Sequence, residues 1–226
     1  MVYDEFLRKA VPVSLLFSLF KLQKARFGRV LDLGCGTGLF LRKIQTCGGS
    51  GVGVDISEKM LEIARSNLDS DNFVLLKKDM LKISFKHEFD LVSCLYDSVN
   101  YVTDKRKLLS LFKKVFRALK PKGVFVFDFN TLKKKASGSI QKEISIDKRK
   151  INLKSYYRGN FWFLEISVIE NGREFVEIHK ERLYSRKDIV PLLREAGFSK
   201  LLFFDGFSKR AAKPSSKRLL VLAKVL

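Results

Sequence analysis

The feature that most constrains this chain is a short turn. Asp32-Leu33-Gly34-Cys35-Gly36-Thr37-Gly38 closes the apolar run that begins at Arg29 and opens a helix-like stretch reaching Cys47. Alternating glycines permit a sharp turn and let backbone pass close to a ligand. The helix start behind them favours a carboxylate or phosphate. Gly51–Asp55 reads as the next strand and ends in an acid, whose carboxylate suits a pair of ribose hydroxyls. Strand, glycine turn, helix, strand and acid together say far more than the glycines alone.

The pattern continues. Ser57 is a plausible cap for a helix reaching about Leu68, and Phe73–Leu76 and Phe89–Leu95 read as strands. Lys105–Leu119 has amphipathic helical spacing, closed by Lys120-Pro121-Lys122-Gly123. Val124–Phe129 is a fifth strand. Strands alternating with helices at this spacing predict an α/β fold with a doubly wound parallel sheet. After Thr131 the pattern changes. Residues 143–184 read as antiparallel β structure, with Asn171-Gly172 as a hairpin turn between Phe161–Ile169 and Phe175–Leu183. Ser185 and Asp188 form a capping-box pattern for a helix to Ala196, stopped by Gly197 and made awkward by Pro191. Leu201–Phe204 and Leu219–Val225 supply the last strands. The chain thus divides into 1–131, an inserted β segment over 132–184, and 185–226.

With 226 residues, 46% of them hydrophobic, the chain can bury a sizeable core. Its net charge is +20. Such a field draws anionic partners, nucleic acid among them, although scattered lysines can equally serve solubility. Cys35, Cys47 and Cys94 are too widely spaced for a disulfide framework or zinc site and fit a reducing cytoplasm. Two histidines and no ligand-spaced acid cluster give no metal site. The apolar run Ala10–Phe20 is too short to span a bilayer, and Asp4 and Glu5 oppose a secretory signal. Residues 3–26 are expected to form a helical region, kinked or restarted at Pro12.

The glycine turn does not fit the dinucleotide fingerprint, because its third glycine position holds Leu39. Val30–Phe40 with Asp55 resembles instead the first two motifs of the class I S-adenosylmethionine (SAM)-dependent methyltransferases. Lys78-Asp79-Met80, Phe89–Asp97 and Leu119–Val124 resemble the family's later motifs, in order. Residues 180–197 also look like the C-terminal part of its small-molecule members. The resemblance implies a Rossmann-like core, with the inserted β segment as an acceptor lid. It implies SAM as cofactor and S-adenosyl-L-homocysteine as product. Gly34, Cys35, Gly36 and Gly38 would line the methionine part, with Asp32 near its amino group. Asp55 would hold the ribose, Ile56 would flank the adenine, and Asp79 and Met80 would face it. Leu95 and Tyr96 would lie near the sulfonium.

Tyr96, Asn100 and Tyr101, with Asp97, are candidates for positioning the acceptor, because a polar and aromatic edge after a buried strand is where such sheets bind ligands. A turn and helix cap would use Asp97 and Ser98 equally well. Cys35 fits a structural turn residue. His87 reads as solvated, Asp90 as a strand-start residue, and His179 as a cross-strand residue or a base. Tyr156, Tyr157, Arg158, Trp162 and Tyr184 would line an acceptor pocket or form a small core. The reaction expected is in-line methyl transfer to a small acceptor, which the charge would favour as anionic. RNA or an RNA-associated protein is the alternative acceptor, and a non-catalytic SAM-binding module the alternative role. Monomer and homodimer both stay open.

Overall fold

The computed structural model describes residues 28–69, 71–146, 149–171 and 173–225. The helical region expected over 3–26 lies outside them. Five strands and three helices come first: β1 Arg29–Leu33, α1 Leu39–Gln45, β2 Ser50–Asp55, α2 Glu58–Asn67, β3 Phe73–Lys77, β4 Phe89–Cys94, α3 Lys105–Ala118 and β5 Leu119–Asn130. Four strands of a second sheet follow: β6 Ile140–Ile146, β7 Arg149–Arg158, β8 Phe161–Glu170 and β9 Arg173–Arg182. The chain then returns through α4 Arg186–Glu195, β10 Lys200–Asp205 and β11 Arg218–Lys224.

The main sheet has seven strands in the order β3-β2-β1-β4-β5-β11-β10. β1 to β5 run parallel, and β11 is antiparallel to both β5 and β10. The chain winds outward from β1 to β3, then crosses back to lay β4 on the other side of β1. That reversal opens a crevice beyond the carboxyl ends of β1 and β4.

Both sheet faces are buried, as a central parallel strand's continuous apolar runs require. Leu31, Leu33, Phe125, Phe127 and Phe129 pack with Phe112 of α3 and Leu193 of α4. Val30, Leu91, Val124 and Val126 pack on the opposite side with Leu41 and Ile44 of α1 and Leu61 of α2. Asp104 caps α3 by accepting from Arg106 and Lys107 N–H groups. Ser185 and Asp188 form the expected capping box, and α4 runs from Arg186 through Pro191.

One local expectation changes. Lys120-Pro121-Lys122-Gly123 is not a turn outside the sheet. β5 starts at Leu119, opposite Phe89, and resumes pairing at Val124 opposite Leu91, so these residues form an irregularity inside the strand, with Lys122 at φ 64°. Between β5 and the second sheet the chain forms a short 3₁₀ helix, Leu132–Ser137.

The second sheet is antiparallel throughout, in the order β6-β7-β8-β9. β8 and β9 pair as far as Glu170 opposite Arg173, with Asn171 at φ 50°. Ile151, Leu164 and Ile166 make a small core of its own. Because side chains alternate, the pairing puts Tyr157, Trp162, His179 and Glu181 on one face with that core. Tyr156 and Arg158 lie on the other.

Candidate active site

The glycine turn and Asp55 are in direct contact. Gly34, Gly36 and Gly38 have φ of 69°, 53° and 78°. Gly34 and Cys35 N–H groups donate to Val54 O at 2.8 and 3.1 Å, tying the turn to β2. Gly36 N–H donates to Asp55 Oδ2 at 2.8 Å, and Ser57 N–H to Oδ1 at 2.9 Å. At Gly38 both shape and space demand glycine: its backbone is left-handed, and an added Cβ would stand 3.0 Å from Leu68.

The other expected cofactor residues line the same edge. Asp32, at the end of β1, is buried and accepts from Ser93 Oγ at 2.6 Å. Ile56 follows Asp55 and is 73% exposed, an apolar surface beside a carboxylate. Asp79, just beyond β3, accepts from Leu81 N–H at 2.8 Å, with half-buried Met80 next to it. Acids thus stand at the carboxyl ends of three adjacent strands, around an exposed apolar side chain and a glycine-rich backbone turn. This donor set fits an adenosyl group with a charged amino acid tail.

Cys35 is buried, its Sγ lying 2.9 Å from where a Gly53 Cβ would stand, so the side chain packs toward β2 and the backbone alone belongs to the turn. Burial, with the charges of Asp32 and Asp128, holds the Cys94 thiol well above its ordinary range. Asp90 accepts from Arg29 N–H and Lys120 Nζ at 2.9 and 3.0 Å, a structural role at the strand start. His87 is exposed but not merely solvated: its Nδ1 lies 3.0 Å from Leu119 O, where β5 begins.

Beyond β4 the chain does something unusual. Leu95 is buried; Tyr96 and Asp97 both have left-handed backbone, at φ 58° and 56°. The Asp128 carboxylate, wholly buried in β5, accepts both their N–H groups, at 2.6 and 3.0 Å. Arg218 of β11 bridges Asp97 and Asp128 at 2.7 and 3.1 Å. Asn130 donates to Asp97 Oδ2 and, at 2.9 Å, to Glu181 Oε2 of β9. Burial pushes Asp128 up to about 7 against the pull of Arg218, and Glu181 up to about 8, helped by the Asp97 charge. Burial also lowers Lys134, opposed by Glu181 and Asp97.

Asn100 is fully buried, with its amide engaged by backbone: it donates to Asn130 O and Arg182 O and accepts from Asn130 N–H. It joins the end of β5 to β9. Tyr101 Oη lies 2.7 Å from His179 Nδ1, bringing two expected candidates together. Burial lowers the His179 pKa, against Glu177 and Asp97. Tyr184 is fully buried in the main core, so it lines no pocket.

Asp128, Asn130, Lys134 and Arg218 escape the sequence reading. The signal for two of them is present: Asp128 and Asn130 are the polar residues at the end of the apolar run that starts at Val124 in β5. Glu181 lies two residues beyond His179 on β9. A separate shallow hollow of about 370 Å³, lined by Arg106, Lys113, Lys114 and Arg117 with Leu109 and Ser110, lies on α3 away from these residues.

Residues 30–123 match the family described as "Methyltransferase domain". A Bacillus subtilis (strain 168) protein, YqeM, which carries a methyltransferase name, is 29% identical over 98% of this chain and 94% of its own length. The crystal structure of a SAM-dependent methyltransferase from Clostridium acetobutylicum superposes with a TM-score of 0.87 at 26% identity, over 99% of this chain and 96% of that one. The SAM-bound amino pentose methyltransferase CalS10 from Micromonospora echinaspora shares the fold, with a TM-score of 0.74 at 21% identity over 100% and 97%. Order of motifs, sheet topology and likeness across the full length agree in supporting a class I SAM-dependent methyltransferase.

Proposed function

We propose that this enzyme transfers the SAM methyl group to a small-molecule acceptor held between the carboxyl edge of the main sheet and the second sheet. The observation that carries the cofactor assignment is the contact between Gly36 N–H and Asp55 Oδ2, which places turn and acid on one side of the molecule. Asp55 is assigned to the ribose hydroxyls, Ile56, Asp79 and Met80 to the adenine, and Asp32 with the Gly34–Gly38 turn to the methionine tail. Leu95 and Tyr96 are assigned to the sulfonium. SAM supplies an electrophilic methyl carbon on a good leaving group. The protein's work is therefore alignment and exclusion of water.

Alignment falls to the segment after β4. Asp128 fixes the left-handed Tyr96–Asp97 turn, and Asn100 fastens the following 3₁₀ turn to β5 and β9, which makes Asn100 a positioning residue. The second sheet, inserted between β5 and α4, supports a lid role because Arg182 of β9 touches this segment directly and Glu181 of β9 accepts from Asn130 at the end of β5. Sugar N-methyltransferases among the structures that share the fold, such as KedS8, support a small acceptor. RNA is the second reading, favoured by the net charge of +20 and the basic hollow on α3.

SAM at a hundredfold excess over its Kd should stabilise the fold by about 2.7 kcal/mol, seen as a rise in Tm. Asp55→Ala should remove most of that rise. A larger rise with NAD, or an unchanged SAM response in the variant, rejects the assignment.

A further inference from the structure

The described residues hold an unbalanced buried cluster where the two sheets meet. Asp97, Asp128 and Glu181 are 6%, 0% and 0% exposed. Two cations act on them, Arg218 by direct contact and Lys134 by its charge on Glu181. Acids therefore exceed bases here, in a chain whose overall balance is strongly basic. One oxygen is also left over. Glu181 Oε2 accepts from Asn130, but Oε1 is buried and has no hydrogen-bond partner.

Native folds pair their buried polar atoms, and a buried carboxylate oxygen without a donor is costly. A ligand that brought a charged N–H donor would supply the missing bond and, once Glu181 is ionised, offset the excess of negative charge. The location suits such a ligand. Asn130, which holds Glu181, also holds Asp97, the neighbour of Tyr96. Glu181 shares its sheet face with Tyr157 and Trp162, the aromatic part of the inserted segment nearest the main sheet.

We propose that the acceptor is an aliphatic amine, and that Glu181 binds its nitrogen and takes the proton that must leave before methylation. This rests on the methyltransferase reading above. The ammonium gives one proton to the Glu181 carboxylate, leaving a neutral amine and a carboxylic acid. The nitrogen lone pair then forms the N–C bond as the S–C bond breaks, and that bond's electrons stay on sulfur in S-adenosyl-L-homocysteine. The product leaves as the methylated ammonium, and Glu181 later returns its proton to solvent. Burial already holds the Glu181 carboxyl up to about 8, so a proton on nitrogen and a proton on Glu181 lie close in energy. The titratable and charged groups around it are Asp97 from the turn after β4, Asp128 and Arg218 from the main sheet, Lys134 from the connecting turn, Tyr157 from β7 and His179 from its own strand.

The test uses the full-length protein and a panel of amino sugars, amino-sugar nucleotides and alkyl amines, each with its matched alcohol. With S-adenosyl-L-homocysteine bound, amines but not alcohols should raise Tm. With SAM, mass spectrometry should find the methyl group on nitrogen. Glu181→Gln keeps the shape and an acceptor for Asn130. It should lose the amine-induced shift, cut turnover by at least ~100-fold and abolish the limb of the pH–rate profile near 8. The shift induced by S-adenosyl-L-homocysteine alone should persist, and ligand-free stability at pH 8 should not fall, which a purely structural Glu181 would not allow. The proposal is overturned if no amine binds, if an alcohol is methylated instead, or if Glu181→Gln handles amines like the wild type. Absence of any response to SAM in the wild type would instead overturn the methyltransferase reading.

Discussion

Tyr96 and Asp97 adopt left-handed backbone although neither is glycine, a conformation that costs roughly 1–2 kcal/mol per residue. Something must hold them there, and the contacts name it: Asp128 binds both N–H groups, and Arg218 neutralises Asp128 and Asp97. Removing the cation would leave two buried carboxylates uncompensated. Arg218→Leu should therefore destabilise the fold by about 3–5 kcal/mol, read as a lower urea midpoint at unchanged slope. A loss below about 1 kcal/mol would mean that the turn does not depend on this clamp. The same burial sets a pH dependence. Asp128 and Glu181 titrate near 7 and 8 in the fold, above their ordinary values of 3.8 and 4.5. Between those limits the folded state holds protons that the unfolded chain has released, so their contribution to stability falls as pH rises. Ligand-free protein should be more stable at pH 5 than at pH 8, and Asp128→Asn with Glu181→Gln should flatten that slope. Equal slopes in wild type and double variant would show that these groups are not buried as described.

At the scale of elements, α4 illustrates a signal strong enough to override a contrary one. Pro191 sits inside the helix, yet the capping box at Ser185 and Asp188 fixes its start. Ser185→Ala should cost about 1 kcal/mol, measurable by thermal or urea unfolding. Asp188 gives a second handle. Burial pushes its pKa up, but hydrogen bonds from Lys105 and Ser185 outweigh this and hold it at about 2, below the ordinary 3.8. Its contribution is present above pH 4 and should vanish as pH falls toward 2; Lys105→Met should shrink that acid-side loss. Such elements were legible in the sequence because their determinants are local: the glycine turn, Ser57, the capping box and the alternation along β8 and β9 each lie within a few residues. The clamp was not, because its members come together over separations of 31, 90 and 121 residues. No local pattern pairs Arg218 with Asp97. Asp128 stands out only as a polar residue closing the apolar run from Val124, and only the sheet order shows what it faces. β5 was misjudged at its start for a related reason: Pro121 and Gly123 read as a turn, while pairing with β4 before and after them carries the strand through.

Across the whole molecule, the proposed site draws on two bodies of structure. The main sheet carries the expected cofactor residues. The second sheet has its own small core of Ile151, Leu164 and Ile166 and meets the first through Asn100, Asn130 and Glu181 near the end of β9. Because the second sheet has its own core, most of it should be removable without loss of the first. The pairing lays Ile140, Ser155, Leu164 and His179 in one row across the four strands. Three inter-strand gaps of about 4.8 Å separate its ends by about 14 Å, which about five extended residues can span. Replacing 141–178 by a Gly/Ser linker of about six residues keeps His179, Glu181 and everything after them. The shortened chain should still fold and show the SAM-induced rise in Tm, because no assigned cofactor residue is touched. Methylation of an amine accepted by the full-length enzyme should fall by at least ~100-fold, because Tyr157 and Trp162 no longer enclose the acceptor and water reaches the reacting atoms. Full turnover in the shortened chain would show that the second sheet plays no part in holding the acceptor, whereas loss of the SAM response would show that the main sheet depends on it to fold.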